Sequence, residues 1–392
     1  MSESAWPDLS VKTILQVIPD LAAGGAERTT VEMAEAISGA GGRALVASSG
    51  GRLEEALERA GGELIRLNAA SKNPLIIRKN TRLIEGLIAE HGIDLIHARA
   101  RAPGWSAYVA AQRTQTPFVT TYHGAYSGRT GLKKRYNSVM ARGDLVIANS
   151  EWTAAHVMEV HETPPEKIVT IPRGVDLHAF DPQNVSESRM DDVRAAWGVS
   201  DGDQRVQLML PGRLTSWKGQ AVAIDAVGAL DGNERAMMHL ILTGDAQGRD
   251  KYVTELEDKI IAHKLGGTVT IAGHTSDMPA AYALSDIVLA PSTRPEAFGR
   301  VAAEASAMAK PVIVADHGGQ RETVIEGETG TRAEPGSVTA LTACIRTLIH
   351  LRPEARDAMG RAGQAYIREN FSKKQLQTAT LNVYGRLLLN KA

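Results

Sequence analysis

Two cations in the second half of the chain are spaced for anion chemistry. Arg213 and Lys218 lie in the run Leu210–Gly219 (LPGRLTSWKG), directly after the apolar stretch Gln207–Leu210. A guanidinium presents a planar fork of donors and an ammonium a compact charge, so together they suit a diphosphate. Taken alone, they also fit two solvated surface cations. Two acids follow in Pro291–Ala309 (PSTRPEAFGRVAAEASAMA), where Glu296 and Glu304 are separated by seven residues. Glu296 reads as a loop residue after a short strand, and Glu304 as lying about two turns into the next helix. Carboxylates so placed accept hydrogen bonds from different hydroxyls, and sugar and ribose hydroxyls are suitable donors. The backbone of Phe298, Gly299 and Val301 is expected to form the helix start, whose free N–H groups and positive dipole end favour an anion. A Glu304 that merely pairs with a nearby cation is the structural alternative.

The first half offers weaker candidates. Gly24-Gly25 follows a strand-like run and precedes a helix-like one. Such a step can bring backbone N–H groups close to a phosphate; it can equally be a tight turn. The three-glycine G-x-G-x-x-G fingerprint and its later acid are missing, which argues against a nicotinamide dinucleotide. His123 stands at a strand end before Gly124, where a structural histidine is the competing reading. Asp201-Gly202-Asp203 spells D-x-D, but it precedes a strand in a turn-like stretch and reads as a turn. His91, His97, His156, His161 and His178 lack the close spacing of a zinc site, so no metal is expected.

Positioning these groups requires alternating strands and helices. Val11–Ile18, Arg43–Ala47, Leu64–Leu67, Leu95–His97, Phe118–Tyr122 and Leu145–Asn149 read as short buried strands. Helical patterns fall between several of them, at Glu27–Ile37, Arg52–Ala60, Ile76–Glu90 and Pro103–Arg113. A second cycle starts near Gln207, with strands at His239–Thr243, Val269–Ala272, Ile287–Leu289 and Pro311–Val314. This alternation predicts two α/β domains with parallel sheets covered on both faces. The turn-rich segment Pro172–Pro182 is the expected join. The tail Phe371–Asn390 predicts one more amphipathic helix beyond the second domain.

The composition narrows the class. The chain has 392 residues with 44 Lys+Arg against 45 Asp+Glu, a formal charge of −1. A wholesale nucleic-acid binder would be far more basic. Aromatics at 4% argue against base stacking on single strands. The single cysteine, Cys344, rules out an internal disulfide framework. With no apolar run near the ~20 residues of a membrane span, a soluble cytoplasmic protein is expected.

In order and context these pieces resemble the retaining glycosyltransferases of family 4, which have the two-domain GT-B fold. The matching text is GGAER at Gly24–Arg28, TYHG at Thr121–Gly124, GRLTSWKG at Gly212–Gly219, PSTRPEAFGRVAAEA at Pro291–Ala305 and KPVIVADHGGQRETV at Lys310–Val324. The resemblance implies two Rossmann-like domains facing across a cleft: an acceptor-binding domain over 1–178, a sugar-nucleotide-binding domain over 179–370, and a helix over 371–392 that crosses back to the first domain. It implies a UDP- or GDP-sugar donor, with Arg213 and Lys218 holding the diphosphate and Glu304 the ribose. Glu296, with the backbone around Phe298 and Gly299, would hold the transferred sugar. Gly25 would let its loop approach the phosphates, His123 would contact the donor sugar, and the loop holding His274 would meet the base. It further implies same-face attack, with the leaving phosphate oxygen taking the acceptor proton. A sugar-nucleotide 2-epimerase or a non-catalytic saccharide-binding protein of the same architecture are the alternatives.

Charge is uneven within the first domain. Between Asp94 and Asp144 lie Arg99, Arg101, Arg113, Arg129, Lys133, Lys134, Arg135 and Arg142, and no acid. Between Glu63 and Glu85 lie Arg66, Lys72, Arg78, Lys79 and Arg82, again without an acid. Such a field would attract an anionic acceptor or an anionic leaflet. Tyr126, Leu132 and Tyr136 interleave with the cations and are expected to touch lipid. A saccharide or glycolipid acceptor is therefore expected, with lipopolysaccharide core as first candidate; a solvated basic face is the alternative.

Overall fold

The computed structural model describes residues 6–22, 24–124, 126 and 131–389. The chain divides into two units, Met1–Gly174 with Lys373–Ala392, and Val175–Ser372. The join falls at Gly174, inside the turn-rich segment, a few residues before the expected 178.

Unit 1 is built on seven parallel strands: β1 Thr13–Val17, β2 Arg43–Ser48, β3 Gly62–Arg66, β4 Ile93–Ala98, β5 Phe118–Tyr122, β6 Leu145–Ala148 and β7 Ile168–Thr170. Their order is β3-β2-β1-β4-β5-β6-β7. The residues of β1, β5 and β6 are buried throughout, as expected where helices cover both faces of a sheet and no side is left to alternate with water. Helix ends follow local chemistry. At Pro74–His91, Asn73 accepts from the Leu75 N–H, Pro74 occupies the first turn, and Gly92 closes the helix with φ 61°.

The last helix, Lys373–Leu389, returns to unit 1. Leu376, Leu381, Val383 and Tyr384 join the same core as Ile14, Met33 and Leu95. Each such burial contributes about 1.5–3 kcal/mol. Gln377 Nε2 donates to the Glu32 carbonyl at 2.8 Å, and the Tyr384 hydroxyl lies 2.7 Å from His97 Nδ1. His97 also meets Thr121 Oγ1 at 2.7 Å and is fully buried, so it is a core residue.

Unit 2 carries six parallel strands: β8 Val206–Pro211, β9 Met238–Thr243, β10 Val269–Gly273, β11 Ile287–Ala290, β12 Val312–Ala315 and β13 Gly330–Ala333. Their order is β10-β9-β8-β11-β12-β13. In both sheets the order reverses once, beside β1 in unit 1 and beside β8 in unit 2. At such a reversal the loops leaving adjacent strands diverge, and the crevice at their carboxyl ends is where open α/β sheets bind ligands.

The edge strands β7 and β13 were not evident in the sequence pattern. They lack the fully buried apolar run that marked the other short strands: β7 is only partly buried along its length, and β13 reads Gly-Thr-Arg-Ala.

Candidate functional site

The reversal in unit 2 brings together the loops after β8 and β11. Arg213 and Lys218 lie on the first, Glu296 on the second. Lys218 Nζ donates to Glu296 Oε1 at 2.8 Å, and both side chains are only 14% exposed. The Lys218 ammonium also lies 4.6 Å from the centre of the Trp217 ring. Ser292 Oγ donates to the same Glu296 oxygen. Arg213 is exposed, and its guanidinium makes no hydrogen bond or ion pair among the described residues; its carbonyl accepts from Gln220 Nε2 at 3.0 Å. The backbone is thus fixed while the cation stays available.

Glycine makes this approach possible. Gly219 has φ 85°, and a Cβ there would stand 2.2 Å from the Pro291 carbonyl oxygen. Only a residue without a side chain lets the two loops pack this closely. The loop after β12 braces them: Gly319 N–H donates to the Glu296 carbonyl at 2.7 Å, and His317 Nε2 donates to the Ser292 carbonyl at 2.8 Å.

The helix here is Arg300–Ala307, so it starts two residues later than expected. Gly299 caps it with φ 92°, a conformation that takes Phe298 out of the helix. The Phe298 ring is 3% exposed and packs 5.7 Å from that of Phe371, so its side chain belongs to the core. Val301 lies in the first turn, among the N–H groups without an intrahelical acceptor. Glu304 therefore sits about one turn inside the helix, not two.

Glu304 is held from two sides. Arg300 Nε and Nη2 donate to Oε1 at 3.0 and 2.8 Å, and the Tyr282 hydroxyl donates to Oε2 at 3.2 Å. Burial, then the Glu304 charge, pushes the Tyr282 phenol well above its ordinary pKa, so it stays a donor. The pairing of Glu304 with a nearby cation is thus real. Its i,i+4 spacing was legible on the helix; Tyr282, from the helix Met278–Leu284, was not. His274 stands apart from this cluster, exposed on the loop after β10, two strands from β8. Its neighbour Thr275 is fixed by Thr243 Oγ1 at 2.7 Å and the Trp197 indole at 3.1 Å.

Asp203 of the D-x-D stretch is bound by Arg205, which holds its carboxyl down to about 2. This matches the turn reading. Among the described residues, no group of three or more His, Cys, Asp or Glu is placed to hold a metal.

In unit 1, Gly25 opens the helix Gly25–Gly39 after β1, capped by Gly24. His123 follows β5. Arg173 Nη2 lies 3.0 Å from His123 Nδ1. Burial first, then the charges of Arg173 and Arg99, push the His123 pKa well below the ordinary histidine range. Arg173 is a partner that the sequence reading missed.

The basic stretches converge only in part. A groove of about 1340 Å³ is lined by Lys72, Arg78, Arg101, Arg113, Lys133 and Arg135 together with Trp105, Tyr126, Leu132 and Tyr136, and among the described residues by no acid, although Arg113 pairs with Glu85 at 3.0 Å. Arg99 does not belong to this field: it is 2% exposed and donates from Nε and Nη2 to Gln16 Oε1 at 3.0 and 2.6 Å. Arg129 lies outside the described residues. Tyr126 is covered by Arg101, 4.1 Å from its ring centre, and Arg142 stacks 5.3 Å from the Trp105 ring. Of the three residues expected to meet lipid, Leu132 is the exposed one, at 83%.

The sheets, the crossing-back helix and the cluster of cations and acids define the GT-B class of glycosyltransferase. Residues 198–366 match the family described as "Glycosyl transferases group 1", and residues 23–179 match "Glycosyltransferase Family 4". The chain belongs to these family-4 glycosyltransferases. It is 34% identical to a glycosyltransferase from Rickettsia africae of solved structure, over 97% of this chain and 99% of that one, with a TM-score of 0.88. HepE from Anabaena, solved in complex with UDP-glucose, is 26% identical over 97% of this chain and all of its own, with a TM-score of 0.79. The D-inositol 3-phosphate glycosyltransferase of Xylanimonas cellulosilytica is 27% identical over 315 residues, 76% of this chain and 73% of its own length. Among the described residues no helix is long and apolar enough to cross a membrane.

Proposed function

We propose that this glycosyltransferase moves a hexose, with retention at the anomeric carbon, from a UDP- or GDP-sugar to a saccharide or glycolipid acceptor. The observation that carries the reading is the meeting of Lys218 and Glu296 beside an exposed Arg213 at the strand reversal of unit 2. The two cations would face the diphosphate and stabilise the charge that grows as the glycosidic bond breaks. Glu296 would accept from hydroxyls of the transferred sugar, and Glu304, already oriented by Arg300 and Tyr282, from the ribose. His274 would meet the base through its backbone. The leaving phosphate oxygen would take the acceptor proton on the same face. Because Arg213 and Lys218 supply the positive charge and Asp203 is engaged by Arg205, the reaction is proposed to need no metal.

The acceptor is proposed to be anionic and held by unit 1, where His123 and the loop of Gly25 serve the reacting end. The acid-free groove with its six cations supports this, as does the phosphorylated acceptor in the name of the inositol phosphate enzyme. Lipopolysaccharide core is the first candidate. The enzyme is proposed to work in the cytoplasm, docking on the inner leaflet through the same basic face and Leu132.

The deciding experiment is a thermal-shift panel of nucleoside diphosphates and sugar nucleotides, followed by NMR of the product. A ligand at 100 times its dissociation constant stabilises by about 2.7 kcal/mol. A panel without any shift overturns the donor assignment, and an inverted anomeric centre overturns retention. For the membrane, the expected result is co-sedimentation with anionic vesicles at low salt and its loss at high salt. No pelleting at low salt refutes docking.

A further inference from the structure

We infer that Arg173 locks His123 in the tautomer with its proton on Nε2, making His123 a hydrogen-bond donor to a sugar hydroxyl and excluding it as a base. The inference rests on the transferase reading for the identity of the ligand, but not for the tautomer.

The geometry leaves one assignment. Arg173 Nη2 lies 3.0 Å from His123 Nδ1. A guanidinium has five N–H donors and no acceptor, so Nδ1 must offer its lone pair. The imidazole proton is therefore on Nε2. Charging the ring would place a second N–H against the guanidinium, in a buried position. Arg173, from the segment after β7, and Arg99, at the end of β4, both oppose a charge on this ring. The buried His97 of β4 interacts with His123 as well, and the Tyr126 phenol meets the His123 backbone. None of them is a carboxylate that would favour the imidazolium.

Among the described residues the buried Nε2–H finds no acceptor. Beside it lies a second group in the same condition. β5 and β6 are in register at Tyr122 and Ala148, so His123 and Asn149 follow side by side at the carboxyl ends of adjacent strands. Asn149 is 2% exposed, and neither its amide nitrogen nor its oxygen has a partner among the described residues. Buried polar groups are nearly always paired, so two neighbours that lack partners among the described residues point to a ligand that supplies them. The pair offers a fixed donor on His123 and both donor and acceptor on Asn149. A sugar hydroxyl complements this set: its oxygen accepts a hydrogen bond from Nε2–H and its own O–H donates to the Asn149 amide oxygen.

The test uses the full chain labelled with ¹⁵N-histidine, and long-range ¹H–¹⁵N spectra with His123 assigned by its loss in His123→Asn. The wild type is expected to show the Nε2–H pattern unchanged from pH 8 to pH 5.5. Arg173→Met keeps the length without the donor; it should mix the tautomers and raise the His123 titration into that window. Arg173→Gln, whose amide can still donate to Nδ1, should restore the wild-type pattern. In kinetics, Arg173→Met should lose at least about tenfold in kcat/KM and Arg173→Gln should recover most of it. A wild-type Nδ1–H pattern, a charged ring at pH 6, or an Arg173→Met spectrum identical to wild type would overturn the lock. If sugar nucleotides bind and turn over without moving the His123 or Asn149 resonances, the hydroxyl contact is refuted. If no sugar nucleotide binds while the tautomer is as expected, the transferase reading fails and the lock stands.

Discussion

Lys218 and Glu296 form an ion pair at 2.8 Å across two loops of unit 2, with little solvent at either partner. Each holds the other in place at the strand reversal, so removing either leaves a largely buried charge without its partner. Lys218→Ala is expected to lower kcat by about 10²–10³, the usual effect of deleting one donor to a developing oxyanion. Steady-state turnover measures it, and a variant within threefold of wild type would contradict the role.

Arg213→Ala tests the exposed cation separately. Its side chain supports no other described residue, so the melting temperature should stay within about 1 °C while turnover falls by about 10²–10³. A variant that unfolds early would show a structural role that the geometry does not contain.

Gly219→Ala tests the contact between the two loops. The residue sits at φ 85°, and its Cβ would meet the Pro291 carbonyl. A destabilisation of more than about 1 kcal/mol is expected in urea unfolding. Turnover of the folded fraction should also fall, because Lys218 and Glu296 lie on the loops that are pushed apart. Wild-type stability would refute the close approach.

Tyr282→Phe removes one of the donors that orient Glu304 and changes nothing at the surface. A loss of about 1 kcal/mol in nucleotide affinity is expected, roughly fivefold in the dissociation constant. Calorimetric titration with a nucleoside diphosphate reads it. Because Arg300 still holds the carboxylate, the loss should be smaller than that of Glu304→Gln, and the opposite order would count against the arrangement.

Acid should weaken unit 2 in a defined window. Hydrogen bonds from Arg205 hold Asp203 down to about 2, and those from Arg346, with the Asp231 N–H, hold Glu234 down to about 2. Their folded values lie below their ordinary ones, so they contribute stability in full above about pH 4.5. That contribution is lost as pH falls towards 2. Urea midpoints should drop between pH 5 and pH 2, and Glu234→Gln should flatten the slope. A midpoint constant over that range would refute the linkage.

Strand spacing, helix caps and the order of the motif residues were legible along the chain because they are local: they depend on periodicity, on Gly and Pro at turns, and on side chains three or four apart. Thus β1, β8 and β11 lie where their apolar runs predicted, and the Arg300–Glu304 pair needed only a helix to form. The sequence also placed Arg213, Lys218, Glu296 and Glu304 in order, but order carries no distance. Sheet pairing decided that loops 78 residues apart meet, because strand order follows from which faces the helices cover. Burial by other segments decided that Arg99 left the basic surface, that Phe298 went to the core and that Tyr282 and Arg173 reached Glu304 and His123. These outcomes depend on packing between distant elements, and no local pattern in the chain encodes them.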